Sequence, residues 1–267
     1  MNRFSMIFLH YFKRAFRDVK EVALLLGIPV GLIIVNSMFA GDIALELNGY
    51  NVIASHIAPA MLLSFQFFNG FMMFYLFYHD FKGAMRWRLH AAPCSLRTYI
   101  FPAFAANWAF SILLGLVIIV ISAVFLNVYW GNLFVLAAVL LLTSLMAVLV
   151  AVLIYLFTQK IGAANALGYL ISFGMMILSG FMLPLEVFGI NPVTTFLSNY
   201  GTPLSLGAGA IINSGQLSGI LPEGILLPGA SVGGDGMEQV LTNIGILVVI
   251  TLVLAIVAAI AGRRRAF

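Results

Sequence analysis

A chain of 267 residues in which 63% of side chains are hydrophobic, 8% are charged and the net charge is +4 cannot clothe a water-soluble fold, which uses roughly 25% charged residues. The bilayer must be its solvent, and since long apolar runs recur throughout, one membrane domain over residues 1–267 is expected. The single cysteine, Cys94, excludes an intrachain disulfide.

The N-terminal residues lack the short apolar core and small-residue site of a cleavable signal. Instead, residues 2–20 read as an amphipathic helix. Phe4, Phe8, Phe12, Ala15, Phe16 and Val19 recur at three- and four-residue spacing, and His10, Lys13, Arg14, Arg17 and Lys20 mark another face. Such a helix lies in the membrane interface with its aromatic side down and its basic side toward the headgroups. It anchors the first span, and it can also touch a cytoplasmic partner.

Six stretches are apolar for about the 20 residues that a crossing helix needs: 22–40, 57–78, 99–126, 133–158, 163–183 and 241–262, none with an Asp, Glu, Lys or Arg. Each such charge at mid-helix would cost about 2.5–3.5 kcal/mol. The first stretch carries Gly27 and Gly31 around Pro29, a weak small-residue packing pattern. In a six-span arrangement all 13 Lys and Arg fall on one side, whereas Asp42, Glu46, Glu186, Glu223, Asp235 and Glu238 fall on the other. The basic side faces the cytoplasm, so both termini are expected there. The basic balance is then a topogenic signal and a contact for anionic lipid; no domain is left to hold nucleic acid.

Residues 79–98 form a cytoplasmic loop with helical stripes: Phe81, Met85 and Leu89 on one, Lys82, Arg86 and His90 on another, closed by Pro93. A bare positive-inside linker needs neither the length nor the stripes. A helix showing charges to a cytosolic partner has this form, with a partnerless surface helix as the alternative. Residues 184–240, broken by Pro184, Pro192, Pro203, Pro222 and Pro228, read as an extracellular cap. Around Phe188–Leu197 and Leu204–Ile212 it predicts short re-entrant or interfacial helices before the last span, with Pro184 and Glu186 at an outer gate.

Chemistry for catalysis is missing. There is no phosphate loop, no H-E-x-x-H, no metal-spaced Cys/His cluster and no nucleophile elbow, and no metal site is expected. The spans hold no ionisable residue for a coupling ion. Their polarity rests on Asn36, Gln66, Asn69, Asn107 and Asn165, with Thr143 and Ser144. These are candidates for a substrate path, although such residues more often bond helix to helix.

The layout as a whole resembles the permease subunits of ABC-2-type ABC transporters. Two stretches carry the resemblance: Lys82-Gly83-Ala84 through Leu89 to Ala91-Ala92-Pro93-Cys94-Ser95, and Ser179-Gly180 through Pro184-Leu185-Glu186 to Pro203-Leu204. That family often has a Glu or Lys-Glu pair before the loop glycine, where this chain has Asp80 and Lys82. The stretch from about Gly215 to Gly236 is also longer and more apolar than the family's pattern. The resemblance implies an all-α fold and an export permease that is not itself an enzyme. ATP and Mg2+ would sit on two copies of a separate ABC ATPase, beside a second identical or related permease. Asp80, Lys82, Arg86 and Arg88 would be the ATPase-coupling residues, and the cargo an amphiphile such as a drug, lipid, antimicrobial peptide or glycan leaving through the cell membrane. An ATP-independent channel or scaffold is the alternative. An intramembrane enzyme would need facing titratable groups, which the spans lack.

Overall fold

The computed structural model describes residues 3–39, 46–47, 50–83, 91, 96–158, 160–179, 192–215 and 236–264. They form an all-α membrane protein. In chain order the helices are α1 (Arg3–Arg17), α2 (Val19–Phe39), α3 (Val52–Phe77), α4 (Leu96–Phe125), α5 (Leu133–Phe157), α6 (Ile161–Leu178), α7 (Pro192–Tyr200), α8 (Pro203–Ser214) and α9 (Gly236–Arg264). A π-helical turn, Tyr78–Lys82, follows α3, and a two-residue hairpin, β1 (Glu46–Leu47) with β2 (Tyr50–Asn51), precedes it. Among the described residues four helices are long and apolar enough to cross a membrane: α4, α5, α6 and α9.

Local chemistry explains the breaks. The expected helix over 2–20 divides at Asp18, whose carbonyl accepts from Val22 N–H at 3.0 Å and whose carboxylate accepts from Glu21 N–H at 3.4 Å. Asp18 therefore starts a new helix as an N-cap. Asn132 caps α5 by accepting from Phe134 N–H at 2.9 Å. Thr202 and Ser205 form a reciprocal capping box at α8, with Pro203 just inside it, where its missing N–H costs nothing.

Helix α3 is central. It packs on α2, α4, α5, α6 and α8, and Leu62, Leu63 and Phe67 on it are fully enclosed. At Gly70 an added Cβ would stand 2.7 Å from the backbone carbonyl carbon of Ala147, so the backbones of α3 and α5 touch with no side chain between them. Helix α8 is buried at every residue from Leu204 to Asn213. It packs against α3, α5 and α9, and at Gly207 an added Cβ would meet Leu63 at 2.7 Å and Val139 at 3.0 Å. The second of the short helices expected before the last span is thus enclosed by the bundle and is not a surface lid.

Helix α1 lies across α4. Its aromatic stripe provides the contact: Phe12 and Phe16 meet the enclosed ring of Phe110 edge-on at centroid distances of 6.4 and 4.9 Å. Tyr11 joins Ala103 and Ala106 of α4 and Val148, Ala151 and Tyr155 of α5 in one apolar cluster.

Candidate functional site

Two polar sites stand out in a chain with so few polar groups. The first joins α1 to the end of α3. The Tyr11 hydroxyl donates to Asp80 Oδ2 at 2.8 Å, and Arg14 Nη1 donates to Asp80 Oδ1 at 2.8 Å and Oδ2 at 2.9 Å. The Asp80 side chain is 7% exposed and that of Arg14 26%. His79 Nδ1 stands 3.5 Å from Oδ1, close enough to add attraction when the imidazole is protonated.

The backbone sets this geometry up. A π-helical turn closes i→i+5 bonds instead of i→i+4, so Tyr78–Lys82 departs from the phase of α3 where Asp80 must reach α1. Tyr11 and Arg14 lie three apart, hence side by side on their helix. A buried carboxylate is costly unless paired and hydrogen-bonded, and here both oxygens are used. Burial first, then the Asp80 charge and hydrogen bond, raise the Tyr11 phenol above its ordinary pKa. The hydroxyl therefore stays a donor.

The second site is the polar layer between α3 and α4. Gln66 Nε2 donates to the Ser111 carbonyl at 3.1 Å, and the Ser111 hydroxyl donates back to Gln66 Oε1. Next to this layer, Trp108 Nε1 donates to Ser144 Oγ of α5 at 3.0 Å. Thr143 bonds the Val139 carbonyl of its own helix. Three residues beyond Gln66 and four before Ser111 come Asn69 and Asn107, each 2% exposed. The amide groups of both have no hydrogen-bond partner among the described residues.

Of the residues expected to form a substrate path, Gln66, Asn69 and Asn107 are all buried on α3 and α4, and Gln66 bonds from one helix to the other. Asn165 sits half-buried on α6, and the Asn36 side chain lies outside the described residues. Of the expected coupling residues, Asp80 is an internal anchor. The Lys82 side chain, Arg86 and Arg88 lie outside the described residues, as do Pro184 and Glu186 of the expected outer gate. Sequence reasoning missed Tyr11 and Arg14 as partners of Asp80. A signal existed, since Asp80 is the only carboxylate in residues 79–98, but nothing linear relates it to residue 11 or 14.

A family profile described as ABC-2 type transporter matches residues 4–217, from the start of α1 through the end of α8. No curated protein matches the chain.

Proposed function

Because the chain belongs to the ABC-2 type transporter family, we propose that it is the permease subunit of an ATP-driven exporter. Members of this family generally work with an ABC ATPase. In this reading α2, α3, α4, α5, α6 and α9 are the six spans of a single domain in the cytoplasmic membrane, both termini are cytoplasmic, and α8 is re-entrant from outside. Two separate ATPase subunits bind ATP and Mg2+ and engage α1 and the 79–98 loop. A second permease, identical or related, completes the pathway.

The observation that carries the reading is the Tyr11–Arg14–Asp80 clamp. A motor can move a transmembrane bundle only through parts that transmit force as rigid bodies. The clamp ties α1 to the π-helical turn that continues the central helix α3 into the basic loop, so a push on either element reaches the same helix. Asp80 then serves coupling as a positioning residue, while Lys82, Arg86 and Arg88 provide the charges that meet the ATPase.

Asn69 and Asn107 are the leading candidates for the cargo path. An unsatisfied buried polar group costs about 1–3 kcal/mol, which a polar moiety of a passing amphiphile or a resident water would offset. Gln66, satisfied by Ser111, acts as helix-to-helix bonding. Helices α6 and α9 have the least buried spans, 22% and 11% against 50% for α5, which leaves apolar surface for lipid and for the second permease. Pro184 and Glu186 are kept as the outer gate.

The purified chain should show no ATPase activity by itself and should retain an ATPase subunit when purified from native membranes. R86E/R88E should release that subunit or uncouple its turnover from transport. Unchanged assembly and unchanged ATP turnover in R86E/R88E would remove the loop from the coupling surface. Nucleotide-independent flux through the reconstituted chain would favour a channel.

A further inference from the structure

The face of α1 next to the clamp holds more positive charge than the clamp uses. His10 and Lys13, and Arg14 and Arg17, stand three apart, while His10 and Arg14, and Lys13 and Arg17, stand four apart, so the four share one face. Together with His79 and Asp80 they line an open cavity of about 600 Å³. Three permanent cations meet one carboxylate there, and that carboxylate is already spent on Arg14 and Tyr11. Lys13, Arg17 and His10 are exposed. Cations three or four apart repel one another on a helix. The negative end of the helix dipole offsets part of this repulsion for residues in the last turn, but it does not call for a cavity lined by a second element.

Beside the cavity the same helix presents an apolar surface. Met6 and Leu9, which flank the cationic face, are 49% and 40% exposed. One short helix thus offers a cationic recess and, next to it, uncovered apolar side chains. A phospholipid has that pair of chemistries: a phosphate diester and acyl chains.

We propose that the cavity between α1 and the π-helical turn binds the phosphate of an anionic phospholipid headgroup, with Lys13 and Arg17 as its principal ligands. Arg14, held by Asp80, forms the floor of the site, and His10 and His79 supply further donors at its rim. A lipid seated there bridges α1 and the end of α3 alongside the clamp. Only the leaflet that supplies the lipid rests on the orientation given under the proposed function; the site itself needs no orientation.

The test uses the purified full chain in detergent micelles, where both faces are open, so its result does not depend on topology or on an ATPase. Native mass spectrometry reads bound lipid as phosphatidylglycerol or phosphatidylcholine is titrated in. Retention of phosphatidylglycerol should saturate and exceed that of phosphatidylcholine by about thirtyfold, from about two cationic contacts. K13Q/R17Q should bring the two lipids level. R3Q/K160Q, which removes the same charge elsewhere, should keep the preference. Equal retention of the two lipids, or an equal loss in both double variants, would overturn the proposal. A parallel arm adds glycerol 3-phosphate or inorganic phosphate at millimolar concentration. Persistence of bound phosphatidylglycerol identifies a lipid site. Displacement by either soluble anion, with binding of that anion in lipid-free micelles, identifies a site for soluble phosphate and overturns the lipid assignment. If no phosphate source binds and K13Q/R17Q instead costs ATPase retention, the cavity is a protein contact and the proposal fails.

Discussion

Asp80 shows how much one side chain can organise where polar groups are scarce. Its two oxygens collect Tyr11 and Arg14 from another helix, and hydrogen bonds to a charged group are each worth about 1.5–3 kcal/mol. D80N should therefore lower stability in detergent by at least about that much, and Y11F by about 1.5–3 kcal/mol, read as thermal midpoints by tryptophan fluorescence. The two should be non-additive in a double-mutant cycle; strict additivity would mean that they do not share one network. The raised phenol pKa gives a sign. The hydroxyl's contribution is complete below the ordinary tyrosine value of about 10 and is lost as pH rises past it, because the unfolded chain ionises first. Y11F should lack that part of the alkaline destabilisation. Asn69 and Asn107 make the opposite prediction. Removing orphaned amides relieves a cost, so N69A/N107A should leave the thermal midpoint unchanged or raised, whereas Q66A should lower it by stranding Ser111. An N69A/N107A midpoint that falls as far as that of Q66A would make those amides packing groups.

Among the helices, the close approach of α3 to α5 is the least forgiving. A Cβ at residue 70 would meet backbone atoms of Ala147, which cannot rotate away, so G70A should cost at least about 1–3 kcal/mol by overpacking. G207A should cost less, because its nearest neighbours are the side-chain ends of Leu63 and Val139. Equal thermal shifts for the two variants would count against this backbone contact. The helices themselves were largely legible. The expected stretches at 99–126 and 133–158 correspond to α4 at 96–125 and α5 at 133–157, because a long uncharged apolar run has few alternatives in lipid. The division at Asp18 was not legible, since the amphipathic period of α1 and the apolar run of α2 adjoin without a proline or glycine. Which of the two expected forms α8 takes, re-entrant or interfacial, was not legible either, because a buried helix and an interfacial one share the same small, apolar composition.

At the scale of the whole molecule, charge asymmetry leads to a direct topological test. In a chain carrying C94S, a single cysteine at Glu238 should react with a membrane-impermeant maleimide in intact cells, and one at Lys160 only after permeabilisation. The reverse pattern would invert the orientation, and labelling of both in intact cells would break the six-span arrangement. What the sequence determined by itself is the solvent and the class: 8% charge and long apolar runs force helices into a bilayer, and these properties belong to segments, so they can be read one segment at a time. What only the tertiary structure decided is which scarce polar groups meet. Asp80 finds Tyr11 and Arg14 across more than sixty residues, Gln66 finds Ser111, and Asn69 and Asn107 find no partner among the described residues. Such pairings depend on helix phase, on one π-helical turn and on glycines that let backbones touch, none of which is a property of a single segment.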